Sequence, residues 1–182
     1  MKSYQTIIPR GIRNYIHPLA VLSMTLFFTT GLSAQESNNN HLELSAGALY
    51  ERGFDATIAY EHETDYHNAW EYFVSGYLKY DTDPKAGHVT RSSFWNNYKT
   101  YHIGIAYKPC VVRGRNNHGN LRIGVSGGSD RSQFIAGIHV GYEHSYTLSN
   151  SCELFWQVRE DVIFRGRDLF RTGAAAGIKF SL

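Results

Sequence analysis

The chain has 182 residues, enough for one domain or two small ones, with 18 lysines and arginines against 16 aspartates and glutamates. Three of the basic residues precede residue 35, and without them 15 basic residues face 16 acidic ones. This balance gives no evidence for nucleic-acid binding, and two cysteines are too few for a disulfide scaffold.

The first 34 residues form a segment with its own pattern. Basic residues without acidic ones stand at its head, an apolar run follows from about residue 16 to residue 32, and the small-residue sequence LSA ends it. This order predicts a secretory signal peptide over residues 1–34, cleaved after Ala34. A retained transmembrane anchor is the alternative, which the short and interrupted apolar run disfavours.

The mature domain, residues 35–182, breaks into alternating segments separated by turns rich in Gly, Asn, Asp and Ser. These turn residues, the frequent tyrosines and the lack of a sustained helical period predict an antiparallel all-β domain. The eight predicted strands are 41–51, 54–63, 69–81, 98–112, 119–128, 133–148, 152–164 and 168–182.

The two faces of these strands identify their environment. In the segment 133–148, Ile138 and Val140 alternate with Gly137 and Gly141. A secreted soluble sandwich, the alternative, would carry long solvated side chains on its polar face. Small residues suit the inside of a narrow barrel, where aromatic neighbours such as Phe73, Tyr77 and Phe155 fill the remaining space. The pattern therefore predicts an eight-stranded antiparallel transmembrane β-barrel in the bacterial outer membrane, with outer-membrane lipid around it.

Charged residues fall on the inward parity in nearly balanced numbers. The acids are Glu43, Asp55, Glu61, Glu71, Glu143, Glu153 and Asp161, and the bases are Lys79, Lys108, Arg122, Arg159, Arg171 and Lys179. Buried charges are tolerated when they are paired, so we expect a salt-bridged plug rather than an open pore. The candidate structural network consists of Glu43, Asp55, Glu143, Arg159, Asp161, Arg171 and Lys179.

Placing both termini in the periplasm fixes the predicted topology. The outer loops then lie near 51–53, 82–97, 128–132 and 165–167, and the periplasmic turns near 64–68, 113–118 and 149–151. Cys110 and Cys152 both fall toward the periplasmic end, where export permits a disulfide. Their strands are not neighbours and Cys152 has outward parity, so a disulfide and two free thiols both remain open.

The nine histidines suggest a search for catalytic or metal sites. None has a metal-ligand spacing, and no cofactor motif accompanies them. A lipid-modifying barrel enzyme would need His and Ser on one face, but His144 and Ser145 are neighbours on a strand and point to opposite faces. Position 146 is tyrosine. We therefore expect no enzymatic activity, no catalytic residues, no metal and no cofactor.

The C-terminal third carries a family resemblance. The sequence from Gln133 to Leu182 has a Gly-containing strand, a short turn, a strand with VRE, a Gly-bearing loop and a closing strand with GIKF. It resembles the TraO conjugal transfer proteins of Bacteroidetes conjugative transposons, and LELSAGAL after the leader is similar to the start of their mature region.

This resemblance implies an outer-membrane component of the mating apparatus whose partners are other conjugation proteins. It carries no catalytic residues to this chain, and no direct contact with nucleic acid is expected. The alternative function is that of a general small barrel of the OmpA or OmpW type, serving envelope integrity or small-molecule passage.

Overall fold

The computed structural model describes residues 40–95 and 97–182, so the predicted signal peptide lies outside the described residues. Within these ranges the polypeptide is almost entirely extended. The strands are β1 (Asn40–Leu49), β2 (Gly53–Glu63), β3 (Ala69–Lys79), β4 (Lys99–Lys108), β5 (Cys110–Arg113), β6 (Asn117–Ser129), β7 (Phe134–Ser149), β8 (Cys152–Phe164) and β9 (Phe170–Ser181).

The strands form a single closed antiparallel sheet. Each long strand pairs with its neighbours in sequence, β4 also pairs with β6, and β9 returns to pair with β1. At this closing seam Leu42 lies opposite Phe180, and Glu43 lies opposite Lys179. Since β5 prolongs β4, eight strands surround the lumen, and the prediction of an eight-stranded transmembrane β-barrel is confirmed.

Pro109 divides the predicted strand 98–112 into β4 and β5. Proline has no N–H to donate to a ladder, so the sheet continues across this point through the Pro109 carbonyl, which accepts a bond of 3.0 Å from the Leu121 N–H. The register of β5 against β6 then shifts between Cys110 and Val112.

Two short helical segments interrupt the extended chain. A five-residue helix, α1 (Arg91–Trp95), lies in the longest loop, where the Thr90 and Ser93 side chains each accept a hydrogen bond from the other residue's N–H group. A 3-10 turn spans Asp65–His67. Both are too short to produce a helical period in the sequence. Within the described residues, no helix is long and apolar enough to cross a membrane.

The two ends of the barrel differ. The terminal end contains the start of β1, the end of β9 and the turns 64–68, 114–116 and 150–151. The loop end contains the connections 50–52, 80–98, 130–133 and 165–169. Outer-membrane barrels carry short turns on the periplasmic side and longer loops outside, so these lengths fit a periplasmic terminal end.

The outer wall is apolar and the lumen is polar. Ile103 is 68 % exposed and Val125 is 55 % exposed at the centre of their strands, whereas Glu143 and Lys179 on the inward face are each 1 % exposed. A soluble sheet protein would have the reverse arrangement. This inversion suits a lipid bilayer and disfavours the soluble sandwich.

Candidate functional site: the charged lumen

The seven residues of the predicted network all lie in the lumen, on five different strands. The structure divides them into two clusters and leaves one apart. Glu43, Glu143 and Lys179 meet nearer the terminal end, Asp55, Arg159 and Asp161 meet nearer the loop end, and Arg171 joins neither group by an ion pair.

The first cluster, which we call the lysine cluster, is built around two buried ammonium groups. The Lys108 Nζ lies 2.9 Å from Glu43 and 2.8 Å from Glu143, and it also contacts Glu61 and Glu71. The Lys179 Nζ lies 2.9 Å from Glu43 and 2.8 Å from each of Glu61 and Glu143. The two lysines therefore share three carboxylates.

Arg122 completes the lysine cluster. Its Nη2 donates to Glu71 at 2.6 Å and its Nε lies 3.1 Å from both oxygens of the same carboxylate. The guanidinium group also lies 4.6 Å from the centre of the Phe73 ring, a cation–π distance. Three basic groups thus face four glutamates in a space closed to solvent.

The members that the candidate network omitted are central to this cluster. Glu61, Glu71, Lys108 and Arg122 have the same inward parity as the selected residues. Parity alone gives no information on which distant strands converge. Lys108 and Glu43, for example, lie on strands that are not neighbours in the sheet.

The second cluster centres on Arg159, which pairs with Asp55 and lies 3.2 Å from Asp161. The other oxygen of Asp161 lies 2.7 Å from the His139 Nδ1, and the His139 Nε2 lies 2.7 Å from the Ser126 Oγ. Buried polar groups of this kind stabilise a structure when each has a partner.

The order Asp161, His139, Ser126 has the hydrogen-bond pattern of a serine hydrolase triad. Ser126, however, is buried and also lies 3.3 Å from the His102 ring. The adjoining cavity, lined partly by His102 and Arg171, has a volume of about 20 Å³, enough for about one water molecule. An acyl substrate needs far more room than this cavity offers.

Arg171 does not form the ion pair that was expected of it in the salt-bridged plug. We expected an acid of another strand to pair with it, but among the described residues no carboxylate lies within 4 Å of its guanidinium group. Arg171 instead donates to the Thr100 Oγ1 at 3.1 Å and lies 3.9 Å from the centre of the Tyr77 ring. The electron-rich ring face takes the place of an anion.

Hydrogen bonds between loops cover the loop end of the lumen. Lys79 donates to Asp168 at 2.5 Å, and the Tyr98 hydroxyl donates to Asp130 at 3.3 Å. Hydrogen bonds from the Ser132 hydroxyl and N–H hold the pKa of Asp130 at about 2, and burial raises the pKa of Tyr98. The loops are thus attached to the rim and to one another.

Aromatic side chains fill the space that inward glycines leave. Phe73, Tyr77 and Phe155 are all buried in the lumen. A Cβ atom at Gly177 would lie 2.5 Å from the Phe155 ring, and one at Gly104 would collide with Phe73. These close approaches explain the many small inward residues.

The two cysteines lie near the terminal end, and in the described part of the chain both are free. Cys110 lies on β5 and Cys152 on β8, with β6 and β7 between them. The structure therefore does not form the disulfide that the sequence left open.

Aromatic residues mark both edges of the apolar wall. His144 lies outside the barrel near the terminal end, with its Nδ1 2.8 Å from the Tyr142 hydroxyl and its ring beside Trp156. Ser145 points inward and is buried. Toward the loop end the wall carries phenylalanines, among them Phe134 and Phe170. Such girdles lie at the two interfaces of a bilayer.

The barrel resembles solved structures of outer-membrane proteins. Neisserial surface protein A is 16 % identical with a TM-score of 0.60, and the match covers 82 % of this chain and 100 % of that one. The chain has the fold of an outer-membrane barrel.

Two further structures share this fold. A major outer membrane protein from Thermus thermophilus is 12 % identical with a TM-score of 0.52, covering 78 % of this chain and 98 % of that one. A de novo designed transmembrane β-barrel is 10 % identical with a TM-score of 0.52, covering 82 % of this chain and all of its own. No protein-family model and no curated protein sequence matches the chain.

Proposed function

We propose that this protein is a structural barrel of the outer membrane rather than a channel or an enzyme. The observation that carries the proposal is the lysine cluster, in which Lys108 and Lys179 tie together carboxylates from several strands across the lumen. A pore needs a continuous aqueous path, whereas these side chains occupy the interior and neutralise one another.

Conductance across a planar bilayer tests the plugged lumen. The reconstituted barrel is expected to give no stepwise current, and a Lys108→Ala, Lys179→Ala double variant that still folds is expected to leak. Regular current steps from the unmodified protein would instead favour small-molecule passage, the second candidate function.

We further propose that the barrel serves in the conjugative DNA transfer apparatus. This part rests on the resemblance of the C-terminal third to TraO proteins, in particular VRE in β8 and GIKF in β9. The partners would be other proteins of that apparatus, and the loops and turns at the two ends of the barrel are the surfaces available to them. The near-neutral charge of the mature chain favours protein contacts over direct contact with DNA.

Deletion of the gene in a donor cell tests this role. Transfer frequency should fall and should return when the gene is supplied in trans. Unchanged transfer, together with increased sensitivity to detergents, would favour a general role in envelope integrity.

A further inference from the structure

A cluster of histidines and a glutamate surrounds the terminal mouth of the lumen. His41 lies at the start of β1, Glu63 ends β2, His67 lies in the turn that follows, and His118 lies at the start of β6. The lysine cluster does not include these four side chains. We call them the mouth cluster.

Glu63 is the centre of the mouth cluster. One of its oxygens lies 3.2 Å from the His41 Nε2, and the other lies 2.6 Å from the His67 Nδ1. Donor atoms of His41, Glu61 and Glu63 all lie within 4.8 Å of one another. Glu63 thus contacts one imidazole nitrogen from β1 and one from the turn, and the His67 side chain must move toward His41 for the three groups to share an ion.

The surroundings orient His41 and anchor the backbone of the turn, while the exposed His67 side chain can move. The second ring nitrogen of His41 lies 3.4 Å from the Ser181 hydroxyl, and the His67 ring stacks on His118 at 4.6 Å with an interplanar angle of 5°. The Asn120 amide donates to the His67 carbonyl at 2.7 Å and fixes the turn. Groups that contact the histidine ligands but not the ion itself orient such ligands in metal sites.

We propose that the mouth cluster binds one divalent transition-metal ion of the zinc type. The ligands are the His41 Nε2, the Glu63 carboxylate and the His67 Nδ1, so the ion replaces the two hydrogen bonds that now join these groups. Two histidines and one carboxylate leave a fourth position for water. Glu61 is not a ligand, because Lys108 and Lys179 occupy its oxygens.

The position of the site gives the ion a structural effect. The ion links β1 to the β2–β3 turn at the terminal end of the barrel. The His67 side chain, on the exposed turn, can move to contact the ion. Binding to the folded barrel alone raises its resistance to unfolding by mass action.

Zinc titration of the full barrel tests this inference. The tag-free protein, refolded in detergent, is titrated with zinc chloride against a chromogenic chelator. One zinc ion per barrel is expected. Its affinity should fall at least about tenfold in His41→Ala, Glu63→Gln and His67→Ala, because even the loss of a group that only orients a ligand lowers metal affinity by that much. The matched control is His62→Ala, because His62 lies on the outer face of β2 and bonds to Asn40.

Two results would overturn the inference. One is zinc binding that does not saturate at one ion, and the other is an equal loss of affinity in His62→Ala. If His41→Ala fails to fold, as judged by its gel mobility, His67→Ala on the exposed turn decides the outcome. Cobalt absorption of the unmodified protein gives a second readout, since a visible band that zinc displaces is expected and its absence contradicts the site.

Discussion

Lys108 is the residue on which the lumen depends most. Its ammonium group is fully buried and contacts four glutamates that come from four different strands. Removing one partner of a buried ion pair leaves uncompensated charge, which costs about 3–5 kcal/mol. Lys108→Met is therefore expected to lower the free energy of unfolding by that amount, measured by urea denaturation of the barrel in lipid vesicles.

The matched control is Lys85→Met, which removes an exposed lysine from the long loop and should change stability by less than about 0.5 kcal/mol. Adding Glu61→Gln to Lys108→Met removes the charge of one carboxylate that has lost its Lys108 partner. The double variant should therefore recover part of the lost free energy of unfolding. Equal stability of the two single lysine variants would contradict the ion-pair account.

At the scale of the element, the two faces of β3 and β4 tolerate side chains differently. A Cβ atom at inward Gly104 collides with Phe73, whereas one at outward Gly76 has its nearest neighbour at 3.9 Å. Gly104→Ala should therefore destabilise the barrel by about 1–3 kcal/mol in urea denaturation, the usual cost of overpacking. Gly76→Ala should be neutral or slightly stabilising, and a reversed order of the two would be inconsistent with the assigned faces.

The apolar wall predicts that the stability cost of a charged substitution depends on its depth in the bilayer. Ile103 lies in the middle of β4 and is 68 % exposed to the bilayer, whereas Val112 lies in β5 at the terminal rim. Ile103→Arg should cost about 2–4 kcal/mol and Val112→Arg about 0–1 kcal/mol, as measured by refolding into vesicles. Similar costs at both positions would argue against a membrane placement in which β4 crosses the bilayer centre.

Strand positions were predictable from alternation and turn residues, but local interruptions were not. Pro109 stands inside an alternating segment, so only the pairing with β6 reveals that β4 and β5 are separate. The helix Arg91–Trp95 depends on two reciprocal hydrogen bonds between Thr90 and Ser93, and five residues are too few for a hydrophobic period.

At the scale of the whole molecule, the alternation of side chains along the strands was enough to predict the fold. It was not enough to predict which charged residues form ion pairs. Alternation assigned Glu43 and Lys179 to the lumen, and the closing of β9 onto β1 made them neighbours. Which residues meet across the lumen depends on strand tilt and register, so the sequence could not identify Lys108 as the centre of a cluster or show that Arg171 faces Tyr77.

The mouth cluster could not be predicted from the sequence for the same reason, since His41 and Glu63 come from different strands.

The central claim is a closed barrel that resides in the outer membrane, and one measurement tests it most directly. Cells that produce the full chain are fractionated, and the outer-membrane fraction is run on a denaturing gel with and without heating. We expect the protein in that fraction, with a mobility that changes on heating because the closed, ion-paired barrel resists detergent until it is heated. Recovery from the soluble periplasm, or a single mobility at both temperatures, would contradict the account.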